Sequence, residues 1–351
     1  QKYTNMKNMS AWGAQLSRLS ENCSPDSYPV LPVGRYRFRF RLSEPQQLRR
    51  FTGSAWRGLF GHSLKRVACA IRHTECRACL AYRTCPYTYV FETPPPPGTQ
   101  KMRLYPAAPH PFALSAPMPP SRPVRQYELG LTLFGRANQY LAYVTLALRA
   151  VASKGLWSKV QMELEGVDQE PEPGSPWVPI QLGESELSPF PPQSPVAPEP
   201  PEQVRVRLLT PLRLRHQGEY VTPARFHFSD MFRNLLRRIS LLSYFHTDHP
   251  SEAPFRELVE QSRQVEISSA ELRWLDWKRY SSRQQAVLEI GGIVGSFVVP
   301  ARRLGPLWPY LYLGQWTQAG KGTSMGLGQY FLETLEADTH KLATPAHLSC
   351  L

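Results

Sequence analysis

The sequence predicts an α+β protein whose two halves share one pattern of elements. Each half begins with a run in which arginine alternates with apolar residues, at 35–42 (RYRFRFRL) and at 204–208 (VRVRL). Apolar residues at helical spacing follow each run, and a Pro-rich segment at 171–201 separates the halves. Because successive side chains of a strand point to opposite faces, each run predicts a strand with an apolar core face and a basic outer face.

The first half predicts elements in the order βαββαβ. After the opening strand, the pattern predicts a helix at 54–71, a strand at 87–91, a strand at 127–134, a helix at 137–153 and a strand at 160–167. A second Pro-rich segment, at 94–123, interrupts this order. We expect both Pro-rich segments to be extended loops or linkers, since proline has no N–H to donate to a β-ladder.

The second half repeats the order. Its opening strand is followed by predicted helices at 225–245 and 255–262, strands at 265–277 and 287–298, a helix at 304–313 and a strand at 329–332. Two βαββαβ units predict two tandem ferredoxin-like (RRM-like) domains with Pro-rich insertions. We therefore expect a first domain at 1–170, a Pro-rich linker at 171–201 and a second domain at 202–351.

The chain is basic, with 41 Lys and Arg against 28 Asp and Glu and a net charge of +13. This charge favours a polyanionic partner, and arginines within predicted elements favour nucleic acid over a solubilising tail. The sequence lacks an apolar run of the roughly 18 residues that span a membrane. The first ten residues are polar, unlike a signal peptide. We expect a cytoplasmic protein with no membrane partner.

A glycine loop at 320–328 (GKGTSMGLG) precedes the last predicted strand. Its four glycines let backbone N–H groups approach a phosphate without a Cβ in the way, and Lys321 adds a charge. A nucleotide-binding P-loop would need G-x-x-x-x-G-K-[ST] followed by a helix. Here the lysine is followed by Gly322 and then by a predicted strand, so we expect a nucleic-acid cradle, with a plain tight hairpin as the alternative.

Four cysteines cluster between the first predicted helix and the next strand. Their spacing is C-x6-C-x2-C-x5-C, at Cys69, Cys76, Cys79 and Cys85. In a cytoplasmic protein such a cluster favours a metal site over disulfides, and four thiolates suit tetrahedral zinc. We expect a structural zinc site with no part in catalysis. Free reduced thiols and an iron–sulfur cluster are the alternatives.

Several motifs resemble one protein family. In the second half they are 277–284 (WKRYSSRQ), 291–296 (GGIVGS) and the glycine loop. In the first half they are 56–62 (WRGLFGH), the cysteine cluster and 89–92 (YVFE). These stretches are similar to the CRISPR precursor-RNA processing endoribonucleases of the RAMP superfamily. The resemblance covers both halves but not the Pro-rich segments or the termini.

The resemblance implies metal-independent cleavage of CRISPR repeat RNA. The 2′-hydroxyl beside the scissile phosphate would attack it, leaving a 2′,3′-cyclic phosphate and a 5′-hydroxyl. Such a reaction needs a base, an acid and cations around the developing phosphorane charge. The resemblance also implies retention of the crRNA product and contact with other subunits of a CRISPR effector complex.

The family often places a catalytic histidine in or near its first helix, which directs attention to His62. Helical periodicity puts His62 on the polar side of the predicted helix, away from the apolar arc. Imidazole, with a reference pKa of about 6.5, exchanges protons near neutral pH. Lys65, one turn on, is our candidate for charge stabilisation, and Tyr36 and Tyr280 are reserve acid–base groups. An exposed histidine with no role is the alternative.

For RNA contact we predict cations of both halves, one aromatic residue and the glycine loop. They are Arg57, Arg66, Arg237, Arg238, Arg279, Tyr280, Arg283, Gly320, Lys321, Gly322, Gly326 and Gly328. For each charged residue, a solvated surface charge is the alternative. For the whole chain, the alternatives are a non-catalytic RAMP subunit that holds guide RNA and an RNA-binding protein outside CRISPR immunity.

Overall fold

The computed structural model describes residues 29–48, 51–72, 75–103, 105, 107–154, 161–276, 278–281 and 286–335. The first half contains seven helices and strands within the described residues. They are β1 (Val33–Gln46), α1 (Gly53–Ala68), β2 (Phe112–Ser115), β3 (Val124–Phe134), α2 (Leu141–Lys154), β4 (Met162–Glu170) and β5 (Val178–Leu182). A 3₁₀ segment, Gly135–Tyr140, leads into α2.

The first sheet has the strand order β2-β3-β1-β4-β5, with antiparallel pairing throughout. Its first four strands follow the ferredoxin-like order, and β5 is added at the edge. The strand alternation predicted for β1 is confirmed, because Tyr36, Phe38 and Phe40 are fully buried under α1 and α2. The arginines of β1 lie on the opposite face.

The second half repeats the topology. Its elements are β6 (Gln203–Leu212), β7 (Arg215–His216), β8 (Glu219–Tyr220), α3 (Phe228–His246), α4 (Phe255–Arg263), β9 (Ser269–Leu275), β10 (Lys278–Ser281), β11 (Ala286–Glu289), β12 (Gly292–Val299), α5 (Trp308–Thr317) and β13 (Tyr330–Leu335). The main sheet has the order β13-β6-β12-β9, while β7-β8 and β10-β11 form separate hairpins. The predicted fold class, two tandem ferredoxin-like domains, is confirmed.

The strand predicted at 87–91 is wrong. This segment forms a π-helical turn, Thr88–Glu92, in which Tyr87 and Phe91 stack with ring centroids 5.8 Å apart. Aromatic residues favour strands by propensity, but here packing of both rings on one side of a turn overrides that preference. The second strand of the domain is β2, which lies inside the Pro-rich segment at 94–123.

The Pro-rich segments are not only loops, contrary to our expectation. β2 is a four-residue stretch without proline, and β5 pairs with β4 although it contains Pro179. Proline is tolerated there because β5 is an edge strand, so one side of its backbone needs no partner. The segment predicted as a linker thus contributes a strand to the first sheet.

The two domains pack directly against each other. Gln318 donates to the carbonyl of Leu114 over 2.7 Å, and Trp316 Nε1 donates to Glu170 Oε2 over 3.0 Å. Arg136 reaches the C-terminal end of α3, where it bonds Asp248 over 2.7 Å. None of the helices in the described part of the chain has the length and apolarity to cross a bilayer.

Candidate active site in the interdomain cleft

A cleft of about 320 Å³ opens between the two domains. One wall is the part of the Pro-rich segment just before β2, residues 107–110. The opposite wall is the start of the glycine loop together with Arg238 of α3. Residues from both halves therefore meet here, on a surface that neither domain forms alone.

The glycine loop divides into a part that faces the cleft and a part that is packed. Gly320, Gly322, Gly326 and Gly328 all have positive φ, between 75° and 88°. Gly320 N–H donates to Asn234 Oδ1, and the chain then turns into a short 3₁₀ segment, Thr323–Met325. Among the described residues, the N–H groups of 322–324 donate to no acceptor. The first half of the loop thus offers bare donors beside the cleft.

Gly326 and Gly328, which we predicted as RNA contacts, are buried instead. A Cβ at Gly328 would collide with the carbonyl oxygen of Ala319, and Gly326 lies against the backbone of Leu114. These glycines are explained by packing and positive φ rather than by a ligand. Lys321 is exposed between Gly320 and Gly322, as the prediction requires.

Arg238 lines the cleft, and among the residues that the structure describes it forms no ion pair with an acidic side chain. Its Nε donates to the carbonyl of Thr317 over 2.7 Å, while Nη2 is shielded from water and has no hydrogen-bond partner in the described structure. Burial lowers the pKa of Arg238 to about 10, so the guanidinium stays charged at neutral pH. An unpaired buried donor is costly unless a ligand satisfies it.

Arg57, a half-buried residue of α1, contacts two residues that line the cleft. Its Nε donates to Ser324 Oγ over 3.1 Å, and Nη2 lies 3.3 Å from His110 Nε2. The guanidinium also stacks over the Phe91 ring, 4.9 Å from its centroid. Arg57 therefore connects α1, the glycine loop and the Pro-rich segment.

His110 has a defined tautomer. Because arginine only donates, Nε2 of His110 must accept from Arg57, which leaves the proton on Nδ1. Nδ1 then donates to Thr93 Oγ1 over 3.0 Å. Burial, with the positive charges of Arg57 and Arg238 and the nearby His246, lowers the pKa of His110 to about 3. The imidazole is therefore neutral, with its lone pair on Nε2.

A second buried histidine holds the backbone beside His110. His246, at the end of α3, donates from Nε2 to the carbonyl of Pro109 over 2.8 Å and accepts from the Tyr89 hydroxyl at Nδ1 over 3.0 Å. Burial, together with Arg136 and Arg238, lowers the pKa of His246 to about 4, against the Pro109 hydrogen bond. Both histidines are neutral around pH 7, and His246 fixes the position of the residue before His110.

The predicted catalytic set is dispersed. His62 and Lys65 are exposed on the outer face of α1, and His62 lies about 140° around the helix from Arg57. Lys65 Nζ sits 5.8 Å from the Tyr87 ring centroid, beside the cysteine cluster. Tyr36 is fully buried and donates to Asn138 Oδ1 over 2.9 Å, and burial raises its pKa. Tyr36 is therefore a core residue that cannot exchange a proton with bound RNA.

The other predicted RNA-binding residues lie at several places. Arg66 is exposed on α1, and Arg237 is exposed on α3 next to Arg238. Arg279 and Tyr280 belong to β10, whose backbone forms a hairpin with β11. Arg283 lies outside the described residues. The cleft therefore brings together Arg57, Arg238 and the first glycines of the loop.

The four cysteines line one small pocket of about 20 Å³, together with Lys65 and Tyr87. None of them forms a disulfide. Within the described residues, however, no three Cys, His, Asp or Glu side chains stand in ligating geometry, and Cys69 Sγ instead donates to the carbonyl of Ile71. The backbone brings the four thiols together, and side-chain rotation would have to bring the sulfurs onto one ion.

Sequence reasoning missed His110 and the role of the Pro-rich segment. His110 stands in Ala107-Ala108-Pro109-His110-Pro111, where no helical or strand period marks one face. One signal was available: a histidine in a Pro-rich insertion lies on a loop, and loops on rigid scaffolds often carry functional residues.

Comparison with known proteins supports the fold and the family. Residues 31–191 match the family AF_1859_N, described as an N-terminal domain, and residues 206–330 match the family described as CRISPR-associated endoribonuclease Cas6. No curated protein matches the sequence significantly.

Solved structures resemble the whole chain. A Cas6 product complex aligns with a TM-score of 0.54 at 17% identity, covering 86% of this chain and 100% of that one. Thermus thermophilus Cas6 aligns with a TM-score of 0.50 at 18% identity, covering 86% and 99%. A partial Cas6-RT-Cas1–Cas2 complex aligns with a TM-score of 0.52 at 14% identity, covering 88% of this chain and 47% of that one.

At such identities the structural likeness establishes the fold alone. The family match over the second domain adds what the fold cannot. Residues 206–330 are therefore similar to the CRISPR-associated endoribonuclease Cas6 family, and the fold of the chain agrees with that of solved Cas6 structures.

Proposed function

We propose that the protein cleaves CRISPR repeat RNA in the interdomain cleft, without a metal ion, by attack of a 2′-hydroxyl on the adjacent phosphate. The observation that carries this proposal is that Arg238, whose Nη2 has no hydrogen-bond partner in the described structure, lines the same cleft as residues 322–324 with their bare N–H groups. A phosphate between them would satisfy both sets of donors. Anions held this way are stabilised most when charge grows on them, as it does in a phosphorane-like transition state.

RNA supplies its own nucleophile for this reaction. Cleavage therefore needs a proton acceptor, a proton donor and cations, and no metal to activate water. The guanidinium of Arg57 is hydrogen-bonded to the neutral imidazole of His110, and Arg238 lines the same cleft as His110. These are the group types that such a reaction uses.

We further propose that the protein retains the crRNA product and works with other subunits of a CRISPR effector complex in the cytoplasm. A net charge of +13 favours tight binding of a polyanion after cleavage. A Cas6 relative is known as a product complex, and another as part of a Cas6-RT-Cas1–Cas2 complex.

Labelled repeat RNA incubated with the protein in excess EDTA tests the cleavage proposal. We expect single-turnover cleavage at one position, a 2′,3′-cyclic phosphate end, and no cleavage of RNA with a 2′-deoxy nucleotide before the scissile phosphate. Tight binding without cleavage would instead support the alternative, a non-catalytic RAMP subunit. Cleavage that stops in EDTA and returns with Mg²⁺ would refute the metal-independent mechanism.

We also propose that the cysteine cluster holds a structural zinc ion. The four thiols line one pocket, and the described chain around them, residues 69–72 and 75–87, has little regular structure to hold it in place. A tetrahedral thiolate site would fix this segment against α1. Metal analysis should find about one zinc per chain, and Cys79→Ser should lose it and lower the melting temperature. Less than about 0.2 equivalents of zinc or iron would contradict the proposal.

A further inference from the structure

We infer that His110, on the Pro-rich segment before β2, is the group that accepts the proton of the attacking 2′-hydroxyl, and that Arg57 holds its Nε2 until RNA binds. This inference rests on the proposed function and assigns a residue to it. It is carried by the hydrogen bonds around the imidazole, its rigid setting and its place in the wall of the cleft.

The ring is held in one orientation from three directions. It packs beside Phe91 and Phe112 in a cluster of three nearly parallel rings, with centroids 5.9 and 5.7 Å from its own and interplanar angles of 20° and 19°, while the two phenylalanine centroids are 6.1 Å apart. Thr93 accepts the Nδ1 proton, and His246 holds the preceding carbonyl. Little freedom remains for the ring to flip, so Nε2 stays directed at the position that Arg57 now occupies. A fixed base avoids the entropy cost of orientation at the moment of reaction.

The contact between Arg57 and Nε2 is long enough to exchange. At 3.3 Å it is a weak hydrogen bond, whereas a guanidinium and a phosphate form short charge-assisted bonds. Arg57 also contacts Ser324 of the glycine loop, so it already lies beside the bare N–H groups. A phosphate bound there would draw Arg57 away and leave the Nε2 lone pair open to the 2′-hydroxyl.

The same phosphate would make the imidazole a better base. Burial lowers the pKa of His110 most, and the positive charges of Arg57 and Arg238 and the neighbouring His246 lower it further. An anion placed between the guanidinium groups offsets their charge and raises the pKa of His110 toward neutrality. The substrate thereby prepares its own proton acceptor, and a histidine that titrates near the working pH is an efficient base.

The chemical step balances without a metal or a redox partner. The Nε2 lone pair takes the 2′-hydroxyl proton, and the freed oxygen forms a bond to phosphorus. The P–O5′ bond breaks, and the leaving 5′-oxygen takes a proton from water. Arg57, Arg238 and the N–H groups of 322–324 hold the non-bridging oxygens while their charge is largest. The products are a 2′,3′-cyclic phosphate, a 5′-hydroxyl, a protonated His110 and a hydroxide ion, and transfer of the imidazolium proton to that hydroxide restores neutral His110 and water.

Single-turnover cleavage by His110→Ala and His110→Gln tests the inference. We expect both variants to cleave at least about 100-fold more slowly than the unaltered protein, with repeat-RNA affinity changed by less than about threefold. His249→Ala, an exposed histidine outside the cleft, is the matched control and should cleave normally. His110→Gln keeps the ring's approximate size and polarity, so it shows whether loss in the alanine variant reflects misfolding.

Two readouts separate a base from a residue that only supports the cleft. Added imidazole should partly restore cleavage by His110→Ala, because the vacated space admits a free base. When sulfur replaces the leaving 5′-oxygen of the RNA, the leaving group departs without a proton donor. If His110 is the base, both His110 variants should still cleave this substrate slowly. Rescue by that substrate would make His110 the proton donor and overturn the assignment.

His62→Ala tests the other candidate catalytic histidine. We expect substitution of His110 to reduce the cleavage rate more than substitution of His62. Full activity in both His110 variants, in a protein that cleaves repeat RNA in EDTA, would overturn the inference and leave the proposed function intact. Failure of the unaltered protein to cleave would instead refute the proposed function and this assignment with it.

Discussion

The arginines of β1 and Arg238 in the cleft differ in whether an acidic side chain pairs with them. Each β1 arginine meets a carboxylate of β4, with nitrogen–oxygen distances of 3.1 Å for Arg35–Glu170, 2.8 Å for Arg37–Asp168, 3.0 Å for Arg39–Asp168 and 2.7 Å for Arg41–Glu163. Arg238, by contrast, forms no ion pair with a carboxylate in the part of the chain that the structure describes, and its Nη2 has no hydrogen-bond partner there. Alternating arginines in a strand therefore do not by themselves mark an RNA-binding face.

Strand register explains the pairing on β1. β1 and β4 are antiparallel neighbours, and Arg35 lies directly opposite Glu170 and Arg37 opposite Asp168. Opposite charges at such cross-strand positions stabilise a sheet. Trp177 also lies against Arg35 and Arg37, at 5.2 and 4.9 Å from its ring centroid. This basic face is a structural network rather than a free surface.

At Arg238, the lack of a carboxylate partner lowers the stability of the folded protein but favours the binding of an anion. A buried guanidinium with an unsatisfied nitrogen destabilises the free protein. The same group binds an anion strongly, since its donors need not first leave another partner. The comparison therefore predicts that substitutions in the two regions affect different quantities.

Arg238→Met is the largest test of this difference. Removing the shielded charge should slow single-turnover cleavage by about 100- to 1,000-fold, because the transition-state charge loses its donor. The melting temperature should stay equal or rise, since an unpaired charge leaves the interior. The control is Arg41→Met, whose side chain is 59% exposed and which should cleave at the normal rate. A fall in stability without loss of cleavage in Arg238→Met would break the comparison.

Acid should destabilise the wall of the cleft through His246. Its pKa is about 4 in the folded protein and about 6.5 when unfolded, so protons bind the unfolded chain preferentially. The contribution of neutral His246 to the free energy of unfolding is fully present above about pH 6.5. It is lost as the pH falls toward 4, and it amounts to on the order of 3 kcal/mol. Urea unfolding across this range should show a flatter profile for His246→Gln, and an unchanged profile would contradict the buried neutral state.

Arg37→Met should have the reverse effect of Arg238→Met. Asp168 is only 3% exposed in its side chain and would keep one partner, Arg39. We expect a loss of about 1–2 kcal/mol in the free energy of unfolding, with repeat cleavage unchanged. Denaturant melts measure the free energy of unfolding, and single-turnover assays measure the rate of repeat cleavage. If Arg37→Met instead lowers RNA affinity and leaves stability unchanged, the basic face of β1 binds RNA.

Lys321→Ala should give the smallest effect. Lys321 is exposed, so its removal should leave folding unchanged and weaken RNA binding only a few-fold. If the lysine contacts one phosphate, the slope of log affinity against log salt should fall in magnitude by about 0.7. Titrations at several salt concentrations measure this slope. An unchanged slope would mean that the glycine loop acts through its backbone alone.

Element order was the most predictable feature of the molecule. The alternation of Tyr36, Phe38 and Phe40 determines which face of β1 is buried, and two repeats of βαββαβ determine the domain type. Both are local sequence patterns, so they predict the elements without knowledge of the distant residues that those elements contact. The prediction of a strand at 87–91 was wrong because ring packing in a turn outweighs the strand propensity of aromatic residues. β2 was missed because a four-residue strand between prolines is too short to show a period.

The sequence by itself determined the two ferredoxin-like domains, the basic charge and a glycine turn able to face a phosphate. Only the tertiary structure decided which arginines are neutralised, which glycines are packed and which histidine meets a cation. Arg57 and Ser324 are 267 positions apart, and Arg37 and Asp168 are 131 apart. Charge pairing depends on distance in space, and a chain sets such distances only after both sheets have formed and docked.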